Sequence, residues 1–182
     1  MQKTTSQLIK ACIKGNRQAQ IQVYDNYCDA MFNVACRYLG NEEDAKDAMQ
    51  EGFIKAFTNI RTYKPSATFG SWLKRIVINH CLDALKKRQL NTKSVEVDCL
   101  EIVDEDDWQF KSTISKQDIL DTIEKLPEKY KLVITLYLIE GYDHKEISEI
   151  LNIEKRTSRT RLRRAKLKLR EYLNTKYYET GY

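Results

Sequence analysis

Few side chains in this chain are spaced so that they could do chemistry. Four successive carboxylates, Asp104-Glu105-Asp106-Asp107, could hold a divalent cation. Consecutive residues converge on one ion only where a shaped loop folds them back, and no glycine here supplies one, so a solvated tether is the better reading. The cysteines Cys12, Cys28, Cys36, Cys81 and Cys99 are scattered without a CxxC pair, and His80 and His144 stand apart from any cysteine cluster. His80 adjoins Cys81, but neighbouring residues on a helix point in different directions, so no zinc site is expected. No Ser-His-Asp or Cys-His arrangement, P-loop or glycine-rich phosphate cradle appears, which argues against an enzyme. Free, mostly buried thiols fit a reducing cytoplasm, and neither cofactor nor metal is expected.

The other conspicuous stretch is IEKRTSRTRLRRAKLKLREYL, Ile153 to Leu173, with nine Lys or Arg from Lys155 to Arg170. A solvated helix usually balances Lys with Glu at four-residue spacing. Here no acid lies between Arg156 and Arg170; Glu154 and Glu171 stand at the ends. Such a run repels itself, and a polyanion that accepts the charges and releases counterions relieves the repulsion. DHKEISEIL, just before it, reads as a short helix with Ile147, Ile150 and Leu151 on its core side. In the turn that follows, Asn152 suits the left-handed conformation and Ile153 tucks inward. From about Lys155, Leu162, Ala165, Leu169, Tyr172 and Leu173 fall on an arc of roughly 100°. Arg156, Arg159, Thr160 and Arg163 lie opposite, with Arg161, Arg164 and Lys168 on the flank. The pattern is a helix-turn-helix with a basic face free for the major groove of DNA.

The remaining elements must position these residues. The 182 residues, 42% hydrophobic and 31% charged, suit one domain or two small ones. No apolar run reaches about 18 residues, and the amino-terminal stretch lacks an apolar core of signal-peptide length, which argues against membrane spanning and export. With six Gly and two Pro the chain is nearly free of breakers, and helical periodicity dominates: an all-α protein. Helices are predicted over about Thr5–Lys14, Gln18–Tyr38 (Val23, Tyr27, Ala30, Met31 and Val34 inward), Glu42–Ile60 capped by Asn41 (Met49, Phe53, Ala56, Phe57 and Ile60 inward) and Phe69–Arg88. After Ser115, Ile119, Leu120, Ile123 and Leu126 lead to Pro127, which opens an almost wholly apolar helix expected at the centre of a small bundle. Net charge is +6 over residues 1–89, −5 over 90–114 and +4 over 115–182. Two small helical domains, 5–89 and 115–175, joined by a flexible acidic linker, 90–114, are expected.

Asp47, Gln50 and Glu51 share a helix face directed away from Met49, Phe53 and Phe57. They belong to DAMQEGFIKAF, which is followed by WLKRIVINHCLDALKKR and, later, by LPEKYKLVITLYLIEGYDHKEISEILNIEKRTSRTRLRRAKLKL. In this order the stretches resemble region 2.2, regions 2.3–2.4 and region 4 of the sigma-70 family of bacterial RNA polymerase initiation factors. The extracytoplasmic-function (ECF) group, which keeps only regions 2 and 4, is the nearest match, covering about residues 8–88 and 115–173. No region 1.1, long region 3 or sensory domain is legible.

The resemblance implies a non-catalytic factor that brings core RNA polymerase to promoters and helps open them. Asp47, Gln50, Glu51 and Phe53 fall where the family docks on the beta-prime clamp helices; the beta flap is a second expected contact. Asn79 and the loop Lys64, Pro65, Ser66, Ala67 and Thr68 fall where flipped non-template bases of the −10 element are captured, a task suited to an exposed amide and a pocket-forming loop. Trp72 is assigned to packing. Arg75, Lys86, Lys87 and Arg88 would hold phosphates. In region 4, Arg159, Thr160, Arg163 and Arg164 would read the −35 duplex, and Lys155, Arg156, Arg161 and Lys168 would hold phosphates. A cognate anti-sigma factor, often membrane-bound, is implied, which would hold a cytoplasmic protein at the inner membrane.

The chain departs from the family turn Gly-Ile-Ser-Glu-Gly-Thr with Asn152-Ile153-Glu154-Lys155-Arg156-Thr157, and Arg163 replaces a small polar residue. Two other functions make different demands. A stand-alone regulator would bind duplex tightly without polymerase and need neither Asn79 nor Gln50. A metal-dependent nuclease would lose turnover on changing Asp104 to Asp107.

Overall fold

The computed structural model describes residues 4–89 and 114–179, with side chains described through residues 88 and 175. All but one of the acidic-linker residues, the Asp104–Asp107 run, Cys99 and the end of the Tyr-rich tail lie outside them. Among the described residues every regular element is helical, in keeping with an all-α chain. The chain divides into two compact units, Met1–Glu96 and Val97–Tyr182.

The first unit contains α1 (Thr5–Ile13), α2 (Arg17–Leu39), α3 (Glu42–Thr58) and α4 (Phe69–Gln89), with a 3-10 turn at Ile60–Thr62. Side-chain caps set the starts. Thr4 and Gln7 form a reciprocal capping box at α1, and the Asn16 carboxamide accepts from Ala19 N at α2. Gly40 ends α2 in the left-handed conformation (φ 65°), and Asn41 caps α3, accepting from Glu43 N at 2.8 Å. Glu42, Glu43 and Asp44 then fill the positive end of the α3 dipole. Expected inward residues Val23, Met31, Val34, Met49, Phe53, Ala56 and Ile60 are buried; Ala30 is exposed, and Ile60 sits on the 3-10 turn because α3 stops at Thr58.

Small side chains govern how closely α3 meets its neighbours: Ala45, Ala48, Gly52 and Ala56 are all buried along one side. A Cβ placed on Gly52 would lie 2.7 Å from Val77 Cγ2 and 3.3 Å from Val77 Cα. Val77, side chain first and backbone just behind, fills the space that a Cβ would need.

The second unit contains α5 (Lys116–Glu124), α6 (Glu128–Ile134), α7 (His144–Leu151) and α8 (Lys155–Glu179). A reciprocal Ser115–Asp118 capping box starts α5. Pro127, which lacks an amide hydrogen, precedes α6. The almost wholly apolar helix expected at the centre of a small bundle has two registers, because α6 passes into a π turn at Thr135–Ile139. The extra residue rotates the following side chains outward by about 100°. Val133, Ile134 and Leu136 remain fully buried, whereas Tyr137 and Leu138 are 37% and 43% exposed, so the segment is not wholly internal.

Gly52→Ala tests the α3–α4 approach. Alanine favours a helix by about 1 kcal/mol over glycine, yet overpacking here should cost about 1–3 kcal/mol. A lowered denaturant midpoint is therefore expected; a raised midpoint would show that Val77 moves away freely.

Candidate nucleic-acid interface

On α3, Asp47, Gln50 and Glu51 are exposed as a row. Phe53, grouped with them by resemblance, is instead 3% exposed, its ring centroid 4.8 Å from Tyr24 and 6.0 Å from Phe57. Residue 53 lies about 60° from residue 50 but about 160° from residue 51, on the buried edge of the row. Phe53 therefore supports the face from beneath. The residue that continues the row is Ile54, 59% exposed. The spacing 47-50-51-54 contained that signal, although an isolated exposed isoleucine would mean little.

On the way into α4, the Lys64–Ala67 turn closes through Ala67 N to Lys64 O at 3.5 Å, and the Tyr63 hydroxyl donates to the Ala67 carbonyl at 2.8 Å. The turn is seated on aromatic rings. Tyr63 meets Phe69 and Trp72 at 5.5 and 5.6 Å, and Phe69 meets Trp72 and Tyr27 at 5.5 Å. Trp72 is thus half-buried in packing, as expected. Lys64, Ser66, Ala67 and Thr68 are exposed, but the Thr68 hydroxyl is already engaged: it accepts from Ser71 N at 3.2 Å, capping α4, and lies 2.8 Å from Ser71 Oγ. Along α4, Arg75 and Asn79 are exposed one turn apart. Lys86, Lys87 and Arg88 end the helix where cations suit its dipole. Arg88 pairs with Asp44 at the start of α3, so part of its charge is spent inside the unit. Lys86 stands 3.8 Å from Asp83, with both side chains more than half exposed, a pairing of little energetic weight.

In the second unit, Asp143 starts α7 by accepting from Lys145 N and Glu146 N at 2.7 and 2.8 Å, while Glu146 accepts from Asp143 N at 3.0 Å. These amide bonds hold the Asp143 carboxyl below its ordinary range. Asn152 takes the left-handed turn expected of it, φ 51° and ψ 51°, with its amide and that of Ile153 bonded to Ser148 O. The Glu154 carbonyl accepts the first helical bond of α8 from Ser158 N at 3.0 Å. Leu162, Ala165, Leu169 and Leu173 are buried, while Tyr172 is only half-buried. Lys155, Arg156 and Arg159 are exposed; Thr160, Arg161, Arg163, Arg164 and Lys168 are half-buried. Long aliphatic stems can cover apolar surface, which suits partial burial of these cations. The Nε atoms of Arg161 and Arg163 are buried. The Thr160 hydroxyl donates to its own helix at Arg156 O, 3.1 Å.

Sequence reasoning missed two residues here. Ser158 is fully buried, and its Oγ lies 2.9 Å from Nδ1 of His144, whose ring stacks on Tyr137 at 4.9 Å and 26°. Burial, then the positive field of Arg159, lowers the His144 pKa from its ordinary 6.5; Lys155 and Lys166 add to this, and Asp143 opposes it. Residues 144 and 158 are too far apart in sequence for this pairing to be read from spacing.

This geometry is a basic helix-turn-helix and a four-helix unit with polar residues on two exposed faces. The Sigma-70 region 2 family matches residues 23–90, and the Sigma-70 region 4 family matches residues 116–169. The ECF RNA polymerase sigma factor SigW of Bacillus subtilis (strain 168) is 32% identical over 176 residues, covering 91% of this chain and 94% of that protein. The chain is a member of the ECF group of the sigma-70 family. The ECF sigma-E factor of Haemophilus influenzae is 30% identical, covering 91% of this chain and 93% of its own. The fold also matches the sigma factor RpoE of Bartonella quintana, solved with the anti-sigma factor NepR, at 19% identity and a TM-score of 0.57, over 84% of this chain and 95% of that one. As an ECF sigma factor, the protein acts with core RNA polymerase in promoter-specific initiation of transcription. Its relatives are initiation factors rather than enzymes. No helix among the described residues is long and apolar enough to cross a membrane.

His144 yields a pH prediction. Its folded pKa is lowered, so the unfolded chain binds the proton more readily. Its contribution to stability is complete above pH 6.5 and declines as pH falls below it. In an NMR titration, with the two histidine signals assigned by a His80→Gln variant, the His144 midpoint should fall below 6.5. A midpoint at or above 6.5 would contradict the burial and the cationic surroundings.

Proposed function

We propose that the two units divide promoter recognition between them, 5–89 serving core binding and the −10 element and 115–175 serving the −35 element, with 90–114 as tether. Asp47, Gln50 and Glu51, with Ile54 in the place first given to Phe53, dock on the beta-prime clamp helices. An apolar side chain flanked by acid and amide groups is suited to a basic, partly apolar helix surface. The second unit docks on the beta flap. Asn79 and the Lys64–Thr68 loop hold unpaired non-template bases, while Arg75, Lys86, Lys87 and Arg88 hold the adjacent phosphates. Arg159, Thr160, Arg163 and Arg164 read the −35 duplex; Lys155, Arg156, Arg161 and Lys168 fix its register on phosphate. Arg156 also projects opposite the buried stripe, so it is a further candidate for a base edge.

The observation that carries this reading is the acid-free basic face of α8, presented by a capped turn and an apolar stripe beneath it. No step needs a nucleophile or metal: opening is driven by stronger binding of the unpaired strand than of the duplex. The protein works in the cytoplasm. It is held inactive by an anti-sigma factor that covers these faces and can tether it at the inner membrane; the NepR-bound relative supports such a partner.

Purified core polymerase tests the docking row. Gln50→Ala/Glu51→Ala and Ile54→Asp should each weaken core binding on the order of tenfold or more, reduce run-off transcription and leave the melting temperature nearly unchanged. Phe53→Ala should instead lose about 3–5 kcal/mol of stability. Normal core affinity in the first two variants would overturn the assignment.

A further inference from the structure

The buried polar side chains among the described residues are Thr122, Thr135 and Ser158. Thr122 satisfies its hydroxyl within its own helix, at Asp118 O, 2.6 Å. Ser158 is satisfied across the fold, by a histidine on another helix. With Tyr137 behind that histidine, the π turn, α7 and α8 are joined by a stacked ring and a directional hydrogen bond.

This junction lies where the apolar stripe of α8 is weakest. The stripe begins at Leu162 and runs towards the carboxy end through Ala165, Leu169 and Leu173. Apolar burial is non-directional, so it holds the helix on the core but resists small rolling or sliding poorly. A hydrogen bond between heavy atoms about 2.7–3.2 Å apart restricts both motions. Ser158 sits between Arg156 and Arg159-Thr160, on the side opposite to Arg156 and Thr160. The constraint therefore acts ahead of the stripe, at the turn that carries Arg159 and Thr160, and Arg163 and Arg164 follow on the next turn.

We propose that His144 and Ser158, backed by Tyr137, are a positioning pair for base discrimination. They set the roll and axial position of the first two turns of α8 without touching DNA. The inference rests on the reading that α8 enters the −35 duplex. Bidentate contacts between arginine and a base edge require ångström-level placement. Phosphate attraction is longer-ranged and tolerates displacement. Loosening the pair should thus lower preference for the right sequence while leaving general DNA affinity in place.

The test uses the full chain assembled with core polymerase. Wild-type holoenzyme first selects −35 duplexes from a randomised pool, and Kd is then measured for the selected duplex and for the unselected pool. Ser158→Ala removes a single oxygen atom; His144→Phe keeps a ring against Tyr137 but removes the nitrogen. Each should reduce the ratio of selected to unselected affinity on the order of tenfold, with affinity for the unselected pool unchanged. Equal losses on both duplexes, or an unaltered ratio, would overturn the proposal. Thermal melting by circular dichroism identifies unfolding by His144→Phe, in which case the ratio for Ser158→Ala decides. If wild-type holoenzyme selects no sequence, the −35 reading of α8 fails and the proposal falls with it. If it selects one that both variants prefer equally well, only the positioning role fails.

Discussion

A helix with nine cations and no acid between Lys155 and Arg170 has to be held from beneath, because its own surface charges only repel. That constraint organises the second unit. Leu162, Ala165, Leu169 and Leu173 supply the burial, the αL turn at Asn152 sets the angle of entry, and Asp143 secures the helix that precedes it. Not all of that charge is fully exposed: Arg161, Arg163 and Arg164 are half-buried, whereas Lys155, Arg156 and Arg159 are exposed. What remains exposed is a surface whose energetic complement is a polyanion, and DNA supplies one with a readable major groove.

The first unit solves a different problem with different means. It must present polar groups in fixed places, so its own interior has to be dense and unyielding. Small residues bring α3 against α4 at Gly52 and Val77, and a group of aromatic rings underlies the loop that precedes α4. Burial raises the Cys81 thiol to about 12, leaving it a packing group and not a nucleophile. In the proposed reading, strand opening comes from a rigid surface that fits unpaired bases, and energy is supplied by binding alone.

Much of this was legible in the sequence for identifiable reasons. Asn41 and Asn152 were readable because caps and αL turns depend on local chemistry. The α8 stripe was readable because helical periodicity projects directly onto burial. The misses arose where local rules stop. Phe53 was grouped by resemblance with exposed residues but is buried, and the exposed Ile54 beside it was overlooked. The π turn at Thr135–Ile139, with Tyr137 and Leu138 partly exposed, was not announced by the almost wholly apolar run that contains it. The His144–Ser158 bond and the Gly52 contact join residues distant in sequence, so nothing in either local stretch announces them.

Stabilisation of unpaired DNA by binding alone is the central mechanistic claim, and a pre-opened template tests it directly. Run-off transcription by saturating Asn79→Ala holoenzyme should be compared on fully paired promoter and on the same promoter with a mismatched −10 bubble. Removing the cost of melting should largely restore initiation, so the defect should shrink on the bubble. An equal defect on both templates would contradict the account, placing the role of Asn79 in polymerase docking or in folding.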